Sequence, residues 1–141
     1  MNGRFFLDTN VFVYSLDTSS RAKAVRATEL IRRAISTGKG VVSFQVAQEF
    51  FNVAFRRFAQ PMTMSEAEQY LLTVFRPLLA IHSSQALYAE ALQLFGGHRL
   101  SWYDALIVAA AVQGECDVLY SEDLQHGRRF ESLRIENPFL T

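Results

Sequence analysis

The chain has 141 residues, half of them hydrophobic, and its fourteen cationic and fourteen anionic side chains give a formal net charge of zero. A chain of this length fits one domain, residues 1–141, that buries about two thirds of its unfolded surface. No apolar run approaches the ~20 residues of a membrane span, and we see no signal peptide. The single cysteine, Cys116, excludes an internal disulfide. We therefore expect a cytoplasmic protein that does not enter a membrane.

Strands and helices are predicted to alternate along the chain. Short apolar runs predict strands at residues 4–8, 41–42, 78–81, 118–120 and 133–135. Apolar spacing and capping residues predict helices at residues 10–16, 21–36, 43–58, 65–77, 84–95 and 102–113. Short strands separated by helices are typical of a parallel sheet covered on both faces. The predicted fold is a three-layer α/β/α domain with a short central parallel sheet.

Two helix starts carry specific capping signals. Ser65-Glu66-Ala67-Glu68 has the spacing of a capping box and predicts the start of the fourth helix. Ser101 is predicted to cap the last helix, and Asp104 lies three residues later.

An acid interrupts the first apolar stretch, "RFFLDTNVFVY". Asp8 directly follows the predicted strand, and Asp123 follows the strand ending at Tyr120, through Ser121 and Glu122. In parallel sheets, ligands bind beyond the carboxyl ends of the strands, where the winding direction reverses. If the two strands are neighbours, these two carboxylates face one crevice.

Two further acids lie on apolar helices. Glu49 lies among hydrophobic residues in "SFQVAQEFFNVAFRRF", with Asn52 three residues further along, and Asp104 lies in the first turn of "LSWYDALIVAAAV". Each acid also has a purely structural interpretation. Asp8 and Asp104 could cap helices, and Asp123 could be a turn residue. Glu49 is harder to explain in this way, because an unpaired buried carboxylate costs several kcal/mol, as an order of magnitude.

Four clustered carboxylates repel one another and stay ionised only if a cation lies among them. Oxygen ligands favour hard ions, so Mg²⁺ or Mn²⁺ is expected. The three histidines have no metal-binding spacing, which makes zinc a poor candidate. The chemistry predicted for such a site is attack of metal-activated water on phosphorus.

Four motifs together resemble the PIN-domain ribonucleases, specifically the VapC-type toxins of bacterial toxin–antitoxin pairs. They are "FLDTNVFVYSLD", "VSFQVAQEFFNVAFR", "LSWYDALIVAAA" and "VLYSEDLQHG", and the resemblance covers nearly the whole chain. It implies an Mg²⁺- or Mn²⁺-dependent endoribonuclease that binds RNA and a cognate antitoxin and that forms a homodimer. The catalytic and metal-binding residues it implies are Asp8, Glu49, Asp104 and Asp123, supported by Thr9, Asn10 and Ser121. We add Asn52 as a supporting residue, because it lies near Glu49.

Two alternatives stay open. A PIN-like module could bind RNA or a partner without cleaving it. A phosphatase of the haloacid-dehalogenase type also places an aspartate after its first strand, but it usually needs a second acid where this chain has Asn10. A phosphatase of that type also needs a lysine after a later strand, and the only lysines of this chain, Lys23 and Lys39, do not have that position.

Arginine supplies twelve of the fourteen cations, and it is well suited to forked phosphate contacts. If four acids hold a metal, the rest of the surface has four more cations than anions. Arg56 and Arg57 lie about two turns beyond Glu49 and are candidate RNA contacts, with Arg56 predicted to point toward the phosphate path. Neighbouring residues on an extended chain point in opposite directions, so Asp123 rather than Glu122 is expected to face the metal.

Overall fold

A computed structural model describes residues 2–140 and contains a six-stranded sheet in the order β3-β2-β1-β4-β6-β5. All neighbouring strands are parallel except β5 and β6, which are antiparallel. The predicted α/β architecture with a mostly parallel central sheet is confirmed. The strands are β1 (Phe5–Leu7), β2 (Gly40–Ser43), β3 (Leu79–Ile81), β4 (Val118–Tyr120), β5 (Arg129–Phe130) and β6 (Leu133–Glu136).

Helices connect β1 to β2, β2 to β3 and β3 to β4, whereas the chain passes from β4 to β6 through a loop and the short strand β5. The helices are α1 (Thr9–Ser15), α2 (Arg21–Thr37), α3 (Phe44–Arg56), α4 (Met64–Tyr70), α5 (Arg76–Leu78), α6 (Gln85–Gly97) and α7 (Trp102–Gln113). A π-helical turn, Leu71–Phe75, joins α4 to α5, so the predicted fourth helix is interrupted by a local widening. Between residues 2 and 140, no helix combines the length and the apolar character needed to cross a bilayer.

The start of α4 differs from the prediction. Thr63, not Ser65, is the N-cap, and its hydroxyl accepts a hydrogen bond from the backbone N–H of Glu66. The Glu66 carboxylate in turn accepts from the N–H of Thr63, which completes a capping box. Both candidate caps are followed by a glutamate three residues later, so spacing alone could not separate them.

The sequence did not predict strand β5. Its two residues pair with the beginning of β6, and Glu131 lies in the intervening turn with a positive φ of 55°. Two residues are too few to show the alternation by which a strand is recognised.

Strand β1 lies at the point where the sheet reverses its winding direction. It pairs with β2 on one side and with β4 on the other, and Leu7 lies opposite Tyr120. All three β1 residues are buried, and successive side chains of a strand point to opposite faces of the sheet. Both faces are therefore covered, and Asp8 and Ser121 are placed side by side at the carboxyl ends of β1 and β4.

An aromatic cluster joins α1, α3 and the π-helical turn. Phe50 is fully buried, and its ring stacks on that of Tyr70 with the centroids 4.5 Å apart. Phe12 and Phe75 are also buried, with their centroids 5.0 Å apart. Because Phe50 lies one residue after Glu49, this packing fixes the rotation of α3 and therefore the position of the glutamate.

Helix α2 packs closely on strand β2 at Gly40. A Cβ at this position would lie 2.1 Å from the Cβ of Ala34 and 2.7 Å from its Cα. Because backbone must move to accept it, Gly40→Ala is expected to destabilise the fold by about 1–3 kcal/mol in urea unfolding. Gly96→Ala is the control, because nothing lies within 4 Å of its added Cβ. Equal unfolding midpoints for the two variants would contradict this packing.

Candidate active site

Asp8 is a buried carboxylate held by two hydrogen bonds. One oxygen accepts from the backbone N–H of Thr9 at 2.7 Å, and the other accepts from the Ser121 hydroxyl at 2.8 Å. Asp8 is thus the N-cap of α1, which confirms that it could cap this helix. Burial raises the pKa of Asp8 to about 7 despite these hydrogen bonds, and the nearby charges of Asp123 and Glu49 act in the same direction. A helix cap alone does not require so unfavourable a setting.

Asp123 lines a cavity together with Asn10 and Glu49, and its charge adds to the raised pKa of Asp8. The Ser121 hydroxyl accepts from the N–H of Asp123 at 3.2 Å, so Ser121 contacts both segments. The Asn10 amide nitrogen donates to Asp123 at 3.3 Å. The Asn10 amide oxygen is buried and has no hydrogen-bond partner among residues 2–140. This oxygen is therefore available to a ligand.

Glu49 reaches the crevice from α3. The Thr9 hydroxyl donates to its carboxylate at 3.0 Å. Burial raises the pKa of Glu49, and the charges of Asp104 and Asp123 add to this effect, while the hydrogen bonds from Thr9 and Gln45 oppose it. Gln45, which our sequence reasoning did not assign to the site, is buried and donates to the backbone oxygen of Tyr103 at 3.2 Å, so it ties α3 to the first turn of the helix that carries Asp104.

Asp104 combines a structural and a local electrostatic role. Its backbone N–H donates to the Ser101 hydroxyl at 3.1 Å, so the predicted cap of α7 is confirmed. Burial raises the pKa of the Asp104 carboxyl, and the charge of Asp123 adds to it. The backbone N–H of Asp104 makes the capping contact, while the half-buried carboxyl interacts with the Ser101 hydroxyl, which opposes the rise of its pKa, and with the charge of Asp123.

The four acids do not form a closed set of metal ligands in this structure. In the described part of the chain, no three His, Cys, Asp or Glu side chains converge closely enough to hold a metal ion. The donor set nevertheless suits a hard divalent cation, because it consists of carboxylates together with the unpartnered Asn10 oxygen. A cation would also relieve the burial cost and the mutual repulsion that raise the carboxyl pKa values.

A cavity of about 950 Å³ opens beside these acids, and Asn10, Glu49 and Asp123 form part of its wall. Val53 and Arg57 continue the wall along the Glu49 side of α3. By the rise of a helix, Arg57 lies about 12 Å beyond Glu49.

Five of the predicted residues do not line this cavity: the buried Asp8 and Ser121, and also Asp104, Asn52 and Arg56. The wall contains Arg57 rather than Arg56, because Val53 and Arg57 follow Glu49 at successive spacings of four residues along one side of α3 and its C-cap. Asn52 is exposed and does not line the cavity. The cavity wall contains the residue four positions after Glu49, and Asn52 lies three positions after it.

Glu122 turns away from the other acids. Its carboxylate accepts hydrogen bonds from Tyr14 and Lys23, two residues that the sequence reasoning did not assign to the site. Both lie about a hundred residues away in the chain, so no local spacing could have revealed this contact.

The model of the PIN domain family matches residues 5–130. A toxin–antitoxin complex from Klebsiella pneumoniae is 18% identical, with a TM-score of 0.66, covering 94% of this chain and 96% of that one. VapC20 of Mycobacterium tuberculosis, named a sarcin-ricin loop cleaving toxin, is 21% identical, with a TM-score of 0.61 and coverage of 84% and 89%.

VapBC2 from Rickettsia felis, bound to a DNA fragment from its promoter, is 17% identical, with a TM-score of 0.66 and coverage of 94% and 97%. At these identities the three structures establish likeness of fold alone. No curated protein matches the sequence.

The buried Asp8 should make stability depend on pH. Between pH values of about 4 and 7 the folded state binds a proton that the unfolded state lacks, so stability falls as pH rises through this window. Asp8→Asn removes the penalty. In the presence of a chelator, the variant should unfold at a higher temperature than the parent at pH 8, with the gain shrinking toward pH 4.

Asp17→Asn is the control for this comparison. Hydrogen bonds from Ser19 lower the pKa of Asp17, so folding favours its charged form and the substitution should not stabilise the protein. Equal melting temperatures of the parent and Asp8→Asn at pH 8 would refute the cost assigned to Asp8.

Proposed function

Because this chain belongs to the PIN domain family, we propose that it is a divalent-metal-dependent endoribonuclease acting as the toxin of a toxin–antitoxin pair. One observation carries the proposal. A buried carboxylate, Asp8, with its pKa raised to about 7, lies beside Asp123 and the unpartnered Asn10 oxygen where the sheet reverses its winding. Such an arrangement has a high energetic cost without a cation, which is typical of a functional site.

In this proposal Asp8, Glu49, Asp104 and Asp123 hold Mg²⁺ or Mn²⁺ and are the catalytic residues. The metal lowers the pKa of bound water and stabilises the leaving oxygen of the phosphodiester. The supporting residues are Ser121, which donates to Asp8, Thr9, which donates to Glu49, and Asn10, which donates to Asp123.

RNA is the proposed substrate. The cavity offers acids at the metal site and, further along α3, the Arg57 guanidinium, which makes no ion pair within residues 2–140. Its charge therefore remains available to a phosphate. The M. tuberculosis structure of the same fold is named for cleavage of an RNA loop, which adds support for this substrate class.

A cognate antitoxin and a second copy of this chain are the proposed protein partners. The K. pneumoniae structure is named a toxin–antitoxin complex, which supports the first partner. Helix α6 exposes Tyr88, Leu92 and Phe95, which recur at the spacing of one helix face. An exposed apolar face of this kind supports the second partner.

The phosphatase alternative gains no support. Lys23 is bonded to Glu122, and Lys39 donates to the backbone oxygen of Asn2. Neither lysine is therefore free beside Asp8. An RNA-binding module without cleavage is the remaining alternative, and the following experiment decides it.

The purified parent should cleave single-stranded RNA when Mg²⁺ or Mn²⁺ is added and should not do so with a chelator. Asp8→Asn should lower the cleavage rate by at least about a thousandfold, because a metal-binding carboxylate is lost. Asp117→Asn is the matched control, because Asp117 precedes β4 at the opposite end of the strand, where it accepts from the Gly3 N–H. RNA binding without cleavage at saturating metal would establish the binding-module alternative instead.

Arg57 and Arg56 form a matched pair for locating the RNA path. Binding of a short single-stranded RNA, followed by fluorescence anisotropy in a chelator, should weaken in Arg57→Ala. The salt dependence of log Kd should fall by about one because one phosphate contact is lost. Arg56→Ala removes the same charge from an exposed position outside the cavity wall and should have the smaller effect. Identical salt slopes for the two variants would place the RNA elsewhere.

A further inference from the structure

Glu122 is held by two side chains, Tyr14 and Lys23, and Tyr14 also lines the cavity beside Asp123. The Tyr14 hydroxyl donates to one carboxylate oxygen at 2.5 Å, and the Lys23 ammonium donates to the other at 2.6 Å. We name Tyr14, Lys23 and Glu122 the Glu122 clamp. Both oxygens of the glutamate are used, so its orientation is fixed in two directions.

The clamp is partly exposed, with the side chains of Lys23 and Glu122 35% and 24% accessible to solvent, and it also packs against neighbouring side chains. The Lys23 ammonium lies 4.4 Å from the centroid of the Tyr14 ring, and that ring packs edge-on against Phe139 at 5.0 Å. Arg26, on the same helix as Lys23, donates to the backbone oxygen of Pro138 at 3.2 Å. These contacts join α1, α2 and the C-terminal segment into one support for Glu122.

The segment after β4 has two anchors. At the first, Ser121 donates to Asp8 and accepts from the N–H of Asp123. At the second, the clamp holds Glu122. Asp123 directly follows both anchors, and among residues 2–140 its own side chain makes one hydrogen bond, with Asn10 at 3.3 Å.

Like charges tend to push Asp123 out of the crevice. The charge of Asp123 contributes to the raised pKa of Asp8, Glu49 and Asp104, so it interacts unfavourably with all three. A segment with one anchor could relieve this repulsion by turning away. The second anchor prevents that movement, and Lys23 also neutralises Glu122, which would otherwise add a further negative charge.

We propose that Lys23, through Glu122, is a positioning residue that holds the Asp123 carboxylate toward Asp8, Glu49 and Asp104 ready to bind the metal. This inference rests on the proposed metal site. Lys23 does not touch the metal or the substrate, and its effect reaches the site only through the backbone of the segment 121–123.

The test is the affinity of the protein for Mn²⁺ in the absence of RNA, measured by titration calorimetry on the parent and on Lys23→Met. Positioning predicts that Lys23→Met binds Mn²⁺ about tenfold more weakly, as expected when support of a ligand is lost. Simple electrostatics predicts the opposite sign, because removing a cation near an anionic site favours binding of another cation. RNA cleavage should recover at high Mn²⁺, which a general loss of structure would not allow.

Two variants control for charge and for chemistry. Lys39→Met removes the only other lysine of the chain, whose ammonium contacts the Asn2 backbone oxygen, and should leave Mn²⁺ affinity unchanged. Lys23→Arg keeps a donor for Glu122 and should restore most of the affinity. In the metal-free protein, the amide NMR signals of residues 121–124 should broaden in Lys23→Met and not in Lys39→Met.

The outcomes separate the two proposals. If the parent itself binds no Mn²⁺, the proposed function fails, while the NMR comparison still reports on the clamp. If the parent binds Mn²⁺ and Lys23→Met binds it equally well or more tightly, the positioning role is overturned. If Lys23→Met does not fold, the same titration on Lys23→Ala, which also removes the donor to Glu122, decides: affinity equal to that of the parent overturns the role.

Discussion

The Asp8 carboxylate at the end of the central strand is the constraint on which the rest of the site depends. Strand β1 is buried on both faces, so the chain cannot turn Asp8 toward solvent without breaking the sheet. The resulting burial raises its pKa to about 7, and Ser121 and the N–H of Thr9 offset only part of that cost. The hydrogen bond from Ser121 ties β1 to β4, so the segment carrying Asp123 follows the position of Asp8.

The remaining parts of the site are placed by apolar packing. Phe50 fixes α3 against the aromatic cluster and thereby sets where Glu49 can reach. The apolar residues of α7 are buried nearly all round, and this packing holds Asp104 at the start of that helix. The acids thus lie on elements that could move away from the site only by losing their hydrophobic contacts. A stability cost at the site is tolerated because the surrounding core is extensive.

The sequence predicts the architecture and the juxtaposition of Asp8 with Asp123, because both follow from general rules on short apolar strands and on the ends of parallel sheets. It does not predict features that depend on exact placement. Thr63 and Ser65 share the same capping spacing. Which side of α3 lines the cavity, the side of Val53 and Arg57 or that of Asn52 and Arg56, depends on how the helix is rotated against the core. The contact of Glu122 with Lys23 joins residues 99 positions apart, which no local pattern encodes.

Anomalous diffraction from crystals of the parent protein soaked in Mn²⁺ tests the central claim most directly. The account predicts a manganese peak among the carboxylates of Asp8, Glu49, Asp104 and Asp123, and its loss in crystals of Asp8→Asn. An absence of bound manganese in the crevice of well-diffracting parent crystals, or a peak retained in Asp8→Asn, would contradict it.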